Sequence, residues 1–488
     1  MSAGLVDTEL AFLDGTAALA AFRSGELAPS ELLAATEARI ALMNGDRETG
    51  VNAFSELLVD EARAEARAAD AAYVRLRASG EPVPALLGLP VATKEKHGLA
   101  GRTLEQGLAA CRGQLAEADH PVVSRIRAAG GVIHGRTTSP EFSCATVTHS
   151  PMWGVTRNPW HLPATPGGSS GGAGAALAAG MATLATASDI AGSTRIPAGF
   201  TGTVGYKAPF GRVPGLPPLA ADWYRGDGPM ARTVADTALL QSVMAGRHPI
   251  DHGSWGPNGV RPDAGVPSGP DAVRGLRIGL TVTLGDYPVQ ASIRRNTERV
   301  AALLEAAGAV IVPVEMPWTT ERIARTIFAH FGQLLGPAMA ELTRGGEHEL
   351  AAYTRRFIDD GAAAAGAVGG LPESLALDAQ LQRELAEAMV GLDALLCPTQ
   401  AVEMLDADGD YLDGIEVDGV RLGHYWEAHL TSPFNVANRC PVLSVPSGIS
   451  SVGVPTGVQV VGHPFDESMV FRVGAAVEAL VEMPAFPA

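Results

Sequence analysis

The sequence predicts an α/β protein, a mostly parallel sheet covered by helices. Amphipathic helix patterns alternate with short apolar strand patterns along most of the 488 residues. Hydrophobic residues make up 46% and charged residues 18%, so a sizeable core can be buried and general disorder is excluded. The 57 glycines and 34 prolines require many turns and close backbone approaches.

Each element follows from its pattern. Leu32, Leu33, Thr36, Ile40 and Met43 share one face of a helix over 31–43, stopped by Asn44-Gly45. An Ala-rich helix with an outer charged face spans 60–78 and ends at Ser79-Gly80. A short apolar strand covers 88–93. A helix over 120–129 ends at Gly130-Gly131 and feeds a strand over 132–134. Pro159, Pro163 and Pro166 then keep both helix and strand out of the stretch before Gly167. A buried helix and strand follow, ending at Ser188-Asp189. The apolar run over 173–187 is too short to span a membrane, which takes about 18 residues or more.

Beyond Gly228 the rhythm returns: helices over 233–245 and 290–307, strands over 276–282 and 310–314, and a Gly-, Pro- and Asp-rich surface connection over 251–270. Residues 319–389 read as largely helical, a lobe over the sheet. Asp418-Gly419 centres a hairpin over 415–422, strands cover 442–445 and 457–461, and a helix over 467–481 closes the fold. No clear linker divides the chain, so one large domain is expected. Residues 1–80 form a helical segment packed on the core, and residues 81–488 carry the main domain, with a variable helical lobe at about 319–390.

Charge and cysteine content exclude several functions. Lys+Arg is 36 against Asp+Glu 53, a net charge of −17, which argues against nucleic-acid binding as the main role. Cys111, Cys144, Cys397 and Cys440 lie far apart, so neither a disulfide framework nor a zinc cluster is expected, and four reduced thiols suit a cytoplasmic protein. The first ten residues carry Asp7 and Glu9 and no basic stretch, so no signal peptide is expected. Asp406-Ala407-Asp408-Gly409-Asp410 has the calcium-loop glycine in the wrong place and Val417 where the bidentate Glu belongs, so it reads as a solvated acidic loop. His424 and His429 lack a third metal ligand. Tyr425 and Trp426 read equally as the mouth of a substrate site or as packing.

Chemistry concentrates in three places. The run Gly167-Gly168-Ser169-Ser170-Gly171-Gly172 lacks the Gly-Lys-Ser/Thr of a phosphate loop. It matches the G-x-S-x-G of a nucleophile elbow, but a loop precedes it where an elbow needs a strand. A glycine-rich turn holding a helix close to a sheet is the plain alternative. Lys94 ends an apolar strand. Drawn inside, it would lose its charge and become a base; left outside, it is a surface lysine beside Glu95 and Lys96. Ser193 sits in a small-residue turn whose successive N–H groups could face one oxygen as an oxyanion hole, or it caps an ordinary strand-to-helix turn.

Taken together, these pieces resemble the amidase signature family of serine hydrolases. The match runs from Gly168-Ser169-Ser170-Gly171-Gly172 to Asp189-x-x-Gly192-Ser193-x-Arg195-x-Pro197. It extends to Gly88-Leu89-Pro90-Val91-Ala92-Thr93-Lys94-Glu95, Thr156-Arg157-Asn158-Pro159-Trp160, Gly205-Tyr206-Lys207-Ala208-Pro209, Gly228-Pro229-Met230-Ala231-Arg232 and Pro433-Phe434-Asn435. The resemblance covers about residues 25 to 480 and is nearest to bacterial nylon-oligomer and aryl-acylamidase-like members.

The resemblance implies a large mixed, mostly parallel sheet surrounded by helices, and cleavage of a carboxamide C–N bond, extending to esters, anilides and carbamates. Ser193 would form the acyl-enzyme. Ser169, on a cis peptide, would relay its proton to a neutral Lys94. The N–H groups of Ile190, Ala191, Gly192 and Ser193 would hold the oxyanion, with Ser170, Asp189 and Arg195 in support. No metal or cofactor is implied. Partners would be a small-molecule substrate only, with no nucleic acid and no membrane, for a monomer or homodimer in the cytoplasm. Ala191 stands where most members have glycine, and Asn438-Arg439 where small residues are common; Arg439 is expected at the surface, the alternative being that it reaches an acidic substrate. Specificity is expected in 103–119, 142–153 and 319–389. Two other readings share the motif: the glutaminase subunit of a tRNA-dependent amidotransferase, and an idle scaffold.

Overall fold

The computed structural model describes residues 8–46 and 49–487. The first seven residues, read as carrying no signal peptide, lie outside the described residues. Among the described residues, eleven strands form one sheet. In chain order they are β1 (Phe54–Leu57), β2 (Pro90–Lys94), β3 (Val132–Thr137), β4 (Leu184–Asp189), β5 (Val204–Lys207), β6 (Gly226–Ala231), β7 (Arg277–Leu280), β8 (Val310–Pro313), β9 (Ala394–Pro398), β10 (Val442–Ile449) and β11 (Pro455–Gly462). The sheet order is β1-β3-β2-β4-β6-β5-β10-β11-β9-β7-β8.

The sheet is mixed. Parallel ladders join β3, β2 and β4 on one side, and β9, β7 and β8 on the other. Antiparallel ladders fill the centre and add β1 at the edge. The parallel blocks are where helices supply crossovers; of the central antiparallel pairs, β5–β6 and β10–β11 are consecutive in the chain, whereas β5 and β10 are brought together from distant segments.

Among the described residues, thirteen helices surround the sheet: α1 (Gly15–Ser24), α2 (Pro29–Met43), α3 (Val59–Ser79), α4 (Pro121–Ala128), α5 (Gly171–Ala178), α6 (Arg195–Thr201), α7 (Val234–Met244), α8 (Ala291–Ala306), α9 (Thr320–Leu342), α10 (Ala352–Gly366), α11 (Leu371–Ala388), α12 (Pro433–Val436) and α13 (Glu467–Leu480). Residues 319–390, expected as a helical lobe, hold α9, α10 and α11. Phe328 and Phe331 of α9 pack on Phe357 of α10 and on Trp426. Among the described residues, no helix is long and apolar enough to cross a membrane.

Four strands escape the sequence patterns. Residues 1–80, expected as helix alone, also supply β1, which pairs with β3 at the sheet edge. β5 is only four residues long, and β9 is a continuous apolar run without alternation. β6, Gly-Asp-Gly-Pro-Met-Ala, reads locally as a turn, yet β4 and β5 flank it on both sides and its pairing overrides propensity.

This topology creates the site. β2 and β4 are parallel neighbours, so their C-terminal ends, at Lys94 and at Ser188-Asp189, lie on one edge of the sheet. α5 begins beside them. It is buried along its whole length and made of Gly, Ala and Leu. A Cβ on its Gly172 would come within 2.5 Å of Thr138 Oγ1, so only glycine permits this approach.

Candidate active site

Lys94 is fully buried, 0% exposed, at the last position of β2. Its N–H donates to Thr186 Oγ1 at 2.9 Å on β4. Its Nζ lies 2.7 Å from Ser169 Oγ and 3.0 Å from the hydroxyls of both Ser170 and Ser188. Burial pushes the Lys94 amine well below its ordinary pKa; the charge of Lys96 adds to this, while Asp227 and Asp189 oppose it. The surface alternative for Lys94 therefore fails.

Ser169 follows a cis peptide bond from Gly168, as the resemblance implies. Ser170 is the N-cap of α5, and its N–H donates to the Ser193 carbonyl at 3.1 Å, tying the glycine-rich run to the second serine turn.

The turn after β4 is built around Asp189. Its carboxylate accepts from Gly192 N–H at 2.7 Å, Thr194 N–H at 3.2 Å and Asn435 Nδ2 at 2.9 Å. It also pairs side-on with Arg195 through Nε and Nη2, both at 2.9 Å. Burial would raise the Asp189 carboxyl, but the Arg195 charge and hydrogen bonds outweigh it and hold the group at about 2. Arg195 donates onward to the Thr431 carbonyl at 2.8 Å, Gln459 Oε1 at 2.7 Å and Asn435 Oδ1 at 2.6 Å. Asp189 and Arg195 thus brace the turn from within the core.

One expected donor is corrected. The Gly192 N–H belongs to Asp189, because the carboxylate folds back under the turn. Among the described residues, the N–H groups of Ile190, Ala191 and Ser193 have no acceptor. Ala191 needs no positive φ; Gly192 takes it, at +126°. Thr431 and Ser432 hydroxyls donate to the Ala191 carbonyl, fixing the peptide that follows. Ser193 is not the cap of α6, whose N-cap is Thr194.

Ser169 and Ser193 both line a cavity of about 350 Å³. Ser193 is 9% exposed there, whereas Ser169 is fully enclosed. All three stretches expected to set specificity contribute walls: Leu104 and Gln106, Phe142 to Cys144, and Leu335, Met339 and Phe357. Trp426 lines the cavity, while Tyr425 lies in the core. The segment 216–219 was not anticipated as a wall.

Several site residues were missed. Ser188 could have been found, since it alternates with Thr186 on the face of β4 that meets Lys94. Asn435 lies in the matched Pro433-Phe434-Asn435 run, but nothing local indicates that it or Gln459 converges on Arg195. Lys96, His120 and Arg225 line the cavity as well. Arg439 is exposed and lies over the Phe210 ring at 5.1 Å, outside this cavity. Asp408 of the acidic loop pairs in fork fashion with Arg157, both contacts at 2.9 Å.

The family model described as Amidase matches residues 31–471. The A-type subunit of the glutamyl-tRNA(Gln) amidotransferase from Mycobacterium bovis is 33% identical over 465 residues, 88% of this chain and 90% of that protein. A solved bacterial aryl acylamidase of the amidase signature family superposes with a TM-score of 0.85 at 27% identity, covering 96% of each chain. A 6-aminohexanoate cyclic dimer hydrolase solved with its substrate gives 0.80 at 27%, covering 98% of this chain and 100% of that one.

Proposed function

This chain belongs to the amidase family, the amidase signature hydrolases, and on that premise we propose that it cleaves a small-molecule carboxamide through an acyl-enzyme on Ser193. The observation that carries the reading is the 2.7 Å contact between Lys94 Nζ and Ser169 Oγ inside the core. An uncharged amine there accepts the Ser169 hydroxyl proton and donates to Ser170 and Ser188.

The proposed relay runs from Ser193 through Ser169 to Lys94. Ser193 Oγ attacks the carbonyl carbon and gives its proton to Ser169 Oγ, whose own proton passes to Lys94. The carbonyl electrons move onto oxygen, facing the N–H groups of Ile190, Ala191 and Ser193. Losing one such donor costs about 3–4 kcal/mol of transition-state stabilisation. The tetrahedral adduct collapses, the C–N bond breaks, and Lys94 returns the proton through Ser169 to the leaving amine. Water then attacks the acyl-enzyme by the same relay and releases the acid. Esters, anilides and carbamates enter the same scheme, since only the leaving group differs.

The test is hydrolysis of aliphatic amides, anilides, esters and carbamates by the isolated chain, with Ser193→Ala as control. Turnover lost in that variant, and a fluorophosphonate label on Ser193, support the reading. Full activity in Ser193→Ala, or a label on Ser169, overturns it. The amidotransferase relatives favour a second reading, a glutaminase working with partner proteins and tRNA. Turnover of simple amides without any partner separates the two.

A further inference from the structure

The cavity lining includes two basic side chains, Lys96 and Arg225, besides its apolar residues. Among the described residues, the Lys96 ammonium has no hydrogen-bond acceptor and no carboxylate within ion-pair distance. Arg225 reaches one carboxylate, Asp227, at 3.7 Å, beyond hydrogen-bond range. Asp227 is already engaged: His97 Nε2 lies 3.1 Å from its Oδ1, and His120 Nε2 lies 3.7 Å from its Oδ2. Among the described residues the one carboxylate lining the cavity, Asp189, is neutralised by Arg195.

Two basic side chains thus line a largely apolar cavity, Arg225 reaching only an already occupied carboxylate and Lys96 reaching none. Both side chains are partly exposed into the cavity; a ligand carboxylate seated there displaces solvent and supplies the counter-charge the protein does not. Burial and the Arg225 charge lower the Lys96 amine to about 7, with Asp227 opposing, so a bound carboxylate would draw it into its charged form.

Resting on the hydrolase reading above, we propose that Lys96 and Arg225 form a carboxylate subsite, so that the preferred substrate is an amide with an apolar part and a free carboxylate. The apolar part lies along Leu335, Met339 and Phe357, and the carboxylate meets the two cations across the cavity. A planar guanidinium beside a mobile ammonium suits a carboxylate.

Matched probe pairs test this. For the acyl half the pair is pentanoyl-4-nitroanilide against the mono-4-nitroanilide of glutaric acid. For the amine half it is hexanoyl anilide against N-hexanoyl-4-aminobenzoate. The subsite predicts that kcat/KM favours the carboxylated member of at least one pair by tenfold or more. Lys96→Met should collapse that ratio to about one, and Lys96→Arg should restore it. Using the ratio cancels any effect of position 96 on Lys94. Equal kcat/KM within both pairs, or a ratio unmoved in Lys96→Met, overturns the subsite while leaving the hydrolase reading intact. Binding of the same pairs to Ser193→Ala, read by calorimetry, decides the subsite even if no probe is turned over. Tighter carboxylate binding that is lost in the Lys96→Met, Ser193→Ala double variant supports it; equal binding overturns it.

Discussion

The amine of Lys94 and the hydroxyl of Ser169, 75 residues apart in the chain, meet at 2.7 Å with no water-accessible surface on the lysine. Lys94→Met and Lys94→Arg should both lower kcat/KM by about 10³-fold or more, because methionine has no base and a guanidinium stays charged. Steady-state kinetics on any turned-over amide, with a thermal melt to verify folding, make the comparison. Substantial activity in Lys94→Arg would contradict a neutral-amine relay.

The pH profile should carry the signature of that amine. Its pKa lies well below the usual lysine range, lowered by burial and then by Lys96. Activity should rise with pH as Lys94 loses its proton. Removing the neighbouring cation in Lys96→Gln raises the Lys94 pKa, so the acid limb of kcat/KM should move to higher pH. A limb that stays in place would show that another group controls it.

Gly192 should tolerate no side chain. A Cβ there would lie 2.0 Å from Thr431 Oγ1, on a backbone at φ +126°. Gly192→Ala should cost about 1–3 kcal/mol in denaturant unfolding and reduce turnover by displacing the turn. Ala191→Gly, at a position without positive φ, should cost about 1 kcal/mol or less. Equal effects at the two positions would refute this division of roles.

Breaking the brace should be structural. Asp189→Asn leaves Arg195 buried without its counter-charge and should cost about 3–5 kcal/mol, read by denaturant unfolding. A variant as stable as the parent would show that Gln459, Asn435 and the Thr431 carbonyl suffice for Arg195.

A second titration lies far from the site. Burial raises the Glu478 carboxyl on α13 from 4.5 to about 7, with Asp14 and Asp236 adding to the rise and the Val234 N–H opposing it. The folded chain therefore keeps a proton there that the unfolded chain loses near 4.5. This contribution is complete below about 4.5 and is lost as pH rises through about 7. The Tm advantage of Glu478→Gln over the parent should grow between pH 5 and pH 8, since glutamine keeps an acceptor for the Val234 N–H. A pH-independent difference would place the titration elsewhere.

The order of amphipathic and apolar segments, by itself, determined the α/β class and most helices, because each pattern repeats with the period of the backbone that buries it. The serine-glycine run, Ser193 and Lys94 were legible as short motifs, since their chemistry needs particular residues at adjacent positions. Tertiary structure alone decided the rest. β6 is a strand because two neighbours pair with it, not because Gly-Asp-Gly-Pro favours one. Gly192 left the row of available N–H donors because the Asp189 side chain turns back to reach it. Asn435 and Gln459 meet Arg195 from 240 and 264 residues away, and Lys96 became a cavity cation through what does not surround it. Such contacts join distant segments through burial and charge, which no local period records.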